Sequence, residues 1–101
     1  MKLFVDDIRN PPDMTWCVVR TFEGAITYLK HNVVEVISLD HDLGKRKSGY
    51  DIAKWIEEQV MLNQFVPPEI LCHSQNPVGK KNILAVAEAI ERFLHKYTVD
   101  K

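Results

Sequence analysis

Three short apolar runs each break off into titratable residues, and this constrains the fold more than any other feature. Leu3-Phe4-Val5 ends in Asp6-Asp7. Val36-Ile37-Ser38-Leu39 ends in Asp40-His41-Asp42, with Gly44 close behind. Ile70-Leu71-Cys72 ends in His73-Ser74. A short apolar run bounded by turn residues suits a strand covered by other elements, as in a parallel sheet. In open α/β sheets, ligands sit outside the carboxyl ends of the strands. The polar residues that end these runs therefore fall where chemistry is expected.

In chain order, residues 2–6 read as the first strand. An extended loop follows through Asp13, because Pro11-Pro12 cannot sit inside a helix and Asn10 is pushed towards extended geometry. Trp16 to Arg20 reads as a second strand rich in β-formers. Thr21 is a candidate N-cap for a helix from Phe22 to about His31, which would bury Phe22, Ala25, Ile26 and Leu29. Val33 to Leu39 is the third strand. Gly44 to Gly49 is a polar loop, and a helix runs from about Tyr50 to Asn63 with Ile52, Trp55, Ile56 and Val60 on its apolar face. After Pro67-Pro68, Glu69 to His73 is the fourth strand. A last helix starts between Val78 and Asn82 and continues to about Tyr97, burying Ile83, Leu84, Val86, Ala87, Ile90 and Leu94. Right-handed crossovers then predict a parallel sheet of order 2-1-3-4. The expectation is a three-layer α/β fold, truncated to about four strands, with helices on both faces. Residues 1–101 form one domain, with room for one modest core.

Composition excludes several function classes. A net charge of -1 gives no bulk attraction to nucleic acid or to a membrane surface. No apolar stretch approaches membrane-spanning length, and Asp6-Asp7 interrupts the N-terminal apolar run in a way unlike a signal peptide. Cys17 and Cys72 lack metal-ligand spacing and read as free thiols of a cytoplasmic protein. The basic run Lys45-Arg46-Lys47 reads as a solvated loop.

The chemistry-bearing residues gather at the strand ends. Asp6, Asp7 and Asp40 would meet at adjacent strands. Like charges that close are costly unless a cation neutralises them or one carboxyl holds a proton. Hard oxygen donors suit Mg²⁺, with Mn²⁺ as an alternative, and the nearby histidines leave zinc open. Asp13 and Asp42 read first as turn caps, and Asp51 as an N-terminal helix stabiliser. His41 and His73 would move protons, ligate a metal or donate to a phosphate oxygen. His31 and His95 are explained by the helix macrodipole. Ser74, Asn76 and Gly79, with Lys80 and Lys81, stand between a strand and a helix N-terminus. They read equally as an anion cradle and as an ordinary capped turn. Arg9, on the proline-stiffened loop, would clamp a phosphate or pair with Asp7 or Asp13.

Two acidic residues after the first strand and Asp40 after the third resemble the receiver domain of response regulators, a flavodoxin-like fold. That resemblance implies Mg²⁺ binding, a phosphoryl-accepting Asp40, and Ser74 at the hydroxyl position. Ile8 to Pro12 replace the receiver's first helix, the fifth strand with its lysine has no counterpart, and His41 and His73 are foreign to ordinary receivers. The strings Leu3-Phe4-Val5-Asp6-Asp7-Ile8-Arg9-Asn10-Pro11, Ser38-Leu39-Asp40-His41-Asp42-Leu43-Gly44, Gly49-Tyr50-Asp51 and His73-Ser74-Gln75-Asn76-Pro77-Val78-Gly79 resemble a narrower group. These are the cyclic-phosphate processing receiver-like domains of bacteria and their phages. The resemblance implies a receiver-like fold acting on cyclic phosphate ends of RNA or on cyclic nucleotides.

The leading expectation is a metal-assisted phosphoesterase. Asp6, Asp7 and Asp40 would hold the ion, His41 or His73 would protonate the leaving ribose oxygen, and Arg9, Ser74, Asn76 and Gly79 would hold the phosphate. A variant makes Asp40 the nucleophile. The alternative is a signalling or phosphate-ligand-binding module without turnover. The expected partner is a phosphate-containing small molecule or an RNA end. A homodimer through the open fourth strand is a further expectation.

Overall fold

The computed structural model describes residues 1–44 and 47–98. Lys45 and Arg46 of the basic run lie outside the described residues. Four parallel strands form one sheet: β1 (Lys2–Val5), β2 (Trp16–Val19), β3 (Val36–Leu39) and β4 (Glu69–Cys72), in the order β2-β1-β3-β4. Three helices complete it: α1 (Phe22–His31), α2 (Gly49–Asn63) and α3 (Pro77–Thr98). The sheet and its order are those expected of a receiver-like α/β fold.

The strands share one register. Val5 pairs with Val19 and Leu39, and Leu39 pairs with Cys72, so all four chains leave the sheet at the same level. Side chains alternate between faces along each strand. Leu3, Val5, Ile37 and Leu39 are fully buried, and they form one cluster with Ala25 and Leu29 of α1, Ile52, Ile56 and Val60 of α2, and Ile83, Val86 and Ile90 of α3. Each helix start is satisfied locally. Thr21 accepts from the Gly24 N–H. Ser48 and Asp51 form a reciprocal capping box on α2. Asn76 Oδ1 accepts from the Gly79 N–H on α3.

The layers differ from expectation, and the reason is the first connection. The steps β2 to β3 and β3 to β4 run the same way across the sheet, so right-handed crossovers put α1 and α2 on one face. α3 joins them, packed mainly on α2 and β4. A helix on the other face would have to lie between β1 and β2, where Pro11-Pro12 forbid one. The described helices therefore share one face, and the expected third layer is absent among the described residues. The opposite face carries Phe4, Trp16, Val18, Ser38 and Leu71, with Phe4 stacked on His73 and met edge-on by Trp16. No described helix is long and apolar enough to cross a membrane.

β3 begins at Val36, not Val33. Val33 is exposed, and the chain enters the sheet only after Glu35, whose N–H donates to the Met1 carbonyl.

Candidate functional site

The common level at which the strands end builds the site. Asp6 follows β1, Asp40 follows β3, and each still pairs through its backbone with the neighbouring strand: Asp6 N–H to Val19 O at 3.1 Å, and Asp40 N–H to Val5 O at 3.0 Å. The ladder thus extends just far enough to fix both carboxylates. Asp7 stands beside Asp6. One carboxylate oxygen from each of Asp6, Asp7 and Asp40 lies within 4.8 Å of the others. Asp6 is fully buried and Asp40 is nearly so.

Asp6 is the most tightly held of the three. Its Oδ1 accepts from the N–H groups of Ile8 at 3.0 Å and Arg9 at 2.9 Å, turning the chain sharply out of β1. Its Oδ2 accepts from His73 Nε2 at 2.9 Å. Burial would raise the Asp6 pKa. The two backbone donors and His73 outweigh burial and hold it below the usual carboxylate value.

The two candidate histidines differ in what they leave free. His73 has both ring nitrogens engaged, Nε2 by Asp6 and Nδ1 by Ser38 Oγ at 2.8 Å. His41 pairs through Nδ1 with Asp42 Oδ1 at 3.1 Å, and its Nε2 has no partner among the described residues. His41 also packs against the first turn of α3. A Cβ on Gly79 would fall 2.3 Å from His41 Cγ, so only a glycine lets the ring lie there.

The turn after β4 is closed by its own side chains. Ser74 Oγ accepts from the Asn76 N–H and Asn76 Oδ1 from the Gly79 N–H, both at 3.0 Å. The Gly79 N–H is thereby used in capping. The Ser74 hydroxyl hydrogen and the Asn76 amide group remain as donors. Arg9 binds the loop through its backbone N–H and carbonyl, and the residue is exposed. Asp51 caps α2, and Asp13 caps a turn by accepting from the Thr15 N–H.

Two contributors escape a reading of motifs. Arg20 Nη1 donates to the carbonyls of Asp6 and Arg9, and Nη2 donates to Asn10 Oδ1, so one guanidinium pins the loop that carries Asp6 and Asp7. Ser38 holds His73. Its only signal in the sequence is that it is polar within an apolar strand. Beside the cluster opens a cleft of about 830 Å³, lined by Asp7, Arg20, Phe22, Gly44, Lys47 and Asp51 among others.

Three convergent carboxylates offer hard oxygen donors, a set that fits a small divalent cation and suits thiophilic metals poorly. Cys72 belongs to the partly buried layer packed on the core and is absent from the cluster.

No curated protein and no solved structure matches the chain. A family model described as the cyclic-phosphate processing receiver domain matches residues 1–89. That span takes in all four strands, the acidic cluster and both site histidines, and the chain belongs to the cyclic-phosphate processing receiver family.

Proposed function

We propose that this chain is a cation-dependent phosphodiesterase that opens cyclic phosphates, at RNA ends or in cyclic nucleotides. The observation that carries the reading is the convergence of Asp6, Asp7 and Asp40 at the ends of the two central strands, with His41 next in sequence to Asp40. Those three residues would hold Mg²⁺ or Mn²⁺. Such an ion, when bound, polarises a phosphoryl oxygen and acidifies a bound water.

The remaining work falls to the chain's own side chains. Water adds to phosphorus, the bond from phosphorus to one ribose oxygen breaks, and that oxygen must gain a proton. His41 is the residue we assign to deliver it, because its Nε2 is uncommitted and Asp42 orients the ring through Nδ1. Arg9, the Ser74 hydroxyl and the Asn76 amide would hold phosphate oxygens. The cleft beside Asp7 gives room for the organic part of the substrate.

The test is an assay on an oligoribonucleotide ending in a 2′,3′-cyclic phosphate and on a 2′,3′-cyclic mononucleotide, with Mg²⁺, Mn²⁺ or EDTA. The expected result is cation-dependent gain of one water, lost in His41→Gln. Folded protein that converts neither substrate with either ion would overturn the reading in favour of a binding module.

A second expectation concerns Gly79. An added Cβ there would lie 2.3 Å from His41 Cγ and 2.7 Å from His41 Cβ, and because a Cβ is fixed by its own backbone, the His41 segment or the start of α3 must shift to admit it. Displacement of a catalytic group by about 1 Å costs on the order of 100-fold in rate. Gly79→Ala should therefore lose turnover by about 10- to 100-fold and also melt at a lower temperature, measured by kinetics alongside thermal denaturation.

A further inference from the structure

Asp6 is gripped from two sides by different means. The backbone of Ile8 and Arg9 holds Oδ1. On the other side His73 holds Oδ2, and His73 is itself held by Ser38 Oγ and by stacking on Phe4, with ring centroids 4.2 Å apart and planes 10° from parallel. We propose that Ser38 and His73 are positioning residues. They form a hydroxyl–imidazole–carboxylate chain that aims Asp6 at the cation it shares with Asp7 and Asp40, and they take no part in proton transfer. This rests on the reading above that the three carboxylates hold a cation.

The lone-pair inventory supports this role. A carboxylate offers about four acceptor sites. Oδ1 uses two on backbone donors and Oδ2 uses one on His73, leaving one free site on Oδ2. That oxygen can face a cation only while the imidazole occupies its other site and not the free one. Two constraints keep the imidazole in place. Stacking on Phe4 fixes the ring plane, and Ser38 fixes its rotation within that plane.

The placement of Ser38 is informative as well. It sits in mid-β3, buried, in register with Phe4 on one side and Leu71 on the other. An apolar side chain would pack well between such neighbours, and a buried hydroxyl is costly unless bonded. Its Oγ is 2.8 Å from His73 Nδ1, so the hydroxyl is satisfied by the imidazole it orients. Partners one layer behind metal ligands typically change metal affinity by about 10- to 100-fold when removed.

The experiment is Mn²⁺ titration followed by electron paramagnetic resonance on the whole chain. It compares wild type, Ser38→Ala, Ser38→Thr, His73→Asn and His73→Gln, each checked for folding by thermal melting. Ser38→Ala and His73→Asn should bind Mn²⁺ about 10-fold or more weakly. Ser38→Thr, which keeps the hydroxyl, and His73→Gln, whose amide reaches about as far as Nε2, should recover most of that loss. Turnover lost in Ser38→Ala should return as Mn²⁺ is raised. Wild-type Mn²⁺ affinity in both Ser38→Ala and His73→Asn overturns the positioning chain. So does turnover in His73→Gln that stays lost at saturating Mn²⁺, which would make His73 a proton-transfer group. Failure of the wild type itself to bind Mn²⁺ overturns the cation reading, and the proposal with it.

Discussion

Asp40→Asn is expected to cut turnover by on the order of 1,000-fold, the rate equivalent of several kcal/mol of lost charge stabilisation, while raising the melting temperature of the cation-free protein. Both effects have one cause. Three carboxylate oxygens lie within 4.8 Å of one another, and Asp6 and Asp40 are both buried. Two like charges at that spacing repel by about 3 kcal/mol at an effective dielectric of about 20, less where water screens them. Among the described residues, no hydrogen bond or ion pair to the carboxylate of Asp40 offsets this. Its backbone N–H is spent on the sheet, and the donors that hold a neighbouring carboxylate all go to Asp6. Asparagine keeps the shape and removes the charge, so the cation-free protein should gain stability, and on the proposed reading a cation loses one of its carboxylates. Thermal melting in EDTA, with and without the substitution, reads the first effect, and the cyclic-phosphate assay reads the second. Turnover within a few-fold of wild type in Asp40→Asn would sink the cation-centred reading. An unchanged melting temperature would mean that repulsion among the three carboxylates costs the cation-free fold little.

Much of the fold was legible because it depends on local chemistry. Pro11-Pro12 cancel a helix wherever they occur. Thr21 is an ordinary N-cap, and the apolar runs leave little choice of strands. The order 2-1-3-4 then follows from the handedness of crossovers. The missing layer was less legible, since it requires combining a prohibition at Pro11-Pro12 with the direction of every later crossover. In the site, the acidic residues could be read because they terminate strands that adjoin. The role of His73 could not. Its partners Asp6 and Ser38 lie 67 and 35 residues away in sequence, and strand alternation alone does not say which ring nitrogen meets which partner. The same holds for Gly79. Placed after a strand and before a helix, it resembles part of an anion cradle. In the fold its N–H caps the helix, and its missing side chain makes room for His41.

The glycine at the head of α2 should give the largest loss of stability. Gly49 is the first residue of the helix, and by propensity alone alanine there would stabilise the protein by up to about 1 kcal/mol. The surroundings argue the reverse. A Cβ at Gly49 would lie 1.9 Å from the Asp40 carbonyl oxygen and 2.9 Å from its carbon, while the Gly49 N–H donates to the His41 carbonyl at 2.9 Å. Those atoms are backbone, and the Asp40 segment is tied to β1 through its own N–H, so neither side can yield by a rotamer change. Overpacking of a buried position costs about 1–3 kcal/mol and occasionally more. With the obstacle in the main chain, the upper part of that range exceeds the propensity gain. The expected net loss is about 2–3 kcal/mol, or about 10–20 °C in melting temperature for a chain of this size. Gly79→Ala adds the same atom at the head of a helix, against the root of the His41 side chain, and should cost both stability and turnover. If Gly49→Ala melts at or above the wild-type temperature, the close approach of α2 to the Asp40 turn is not what holds that carboxylate in place.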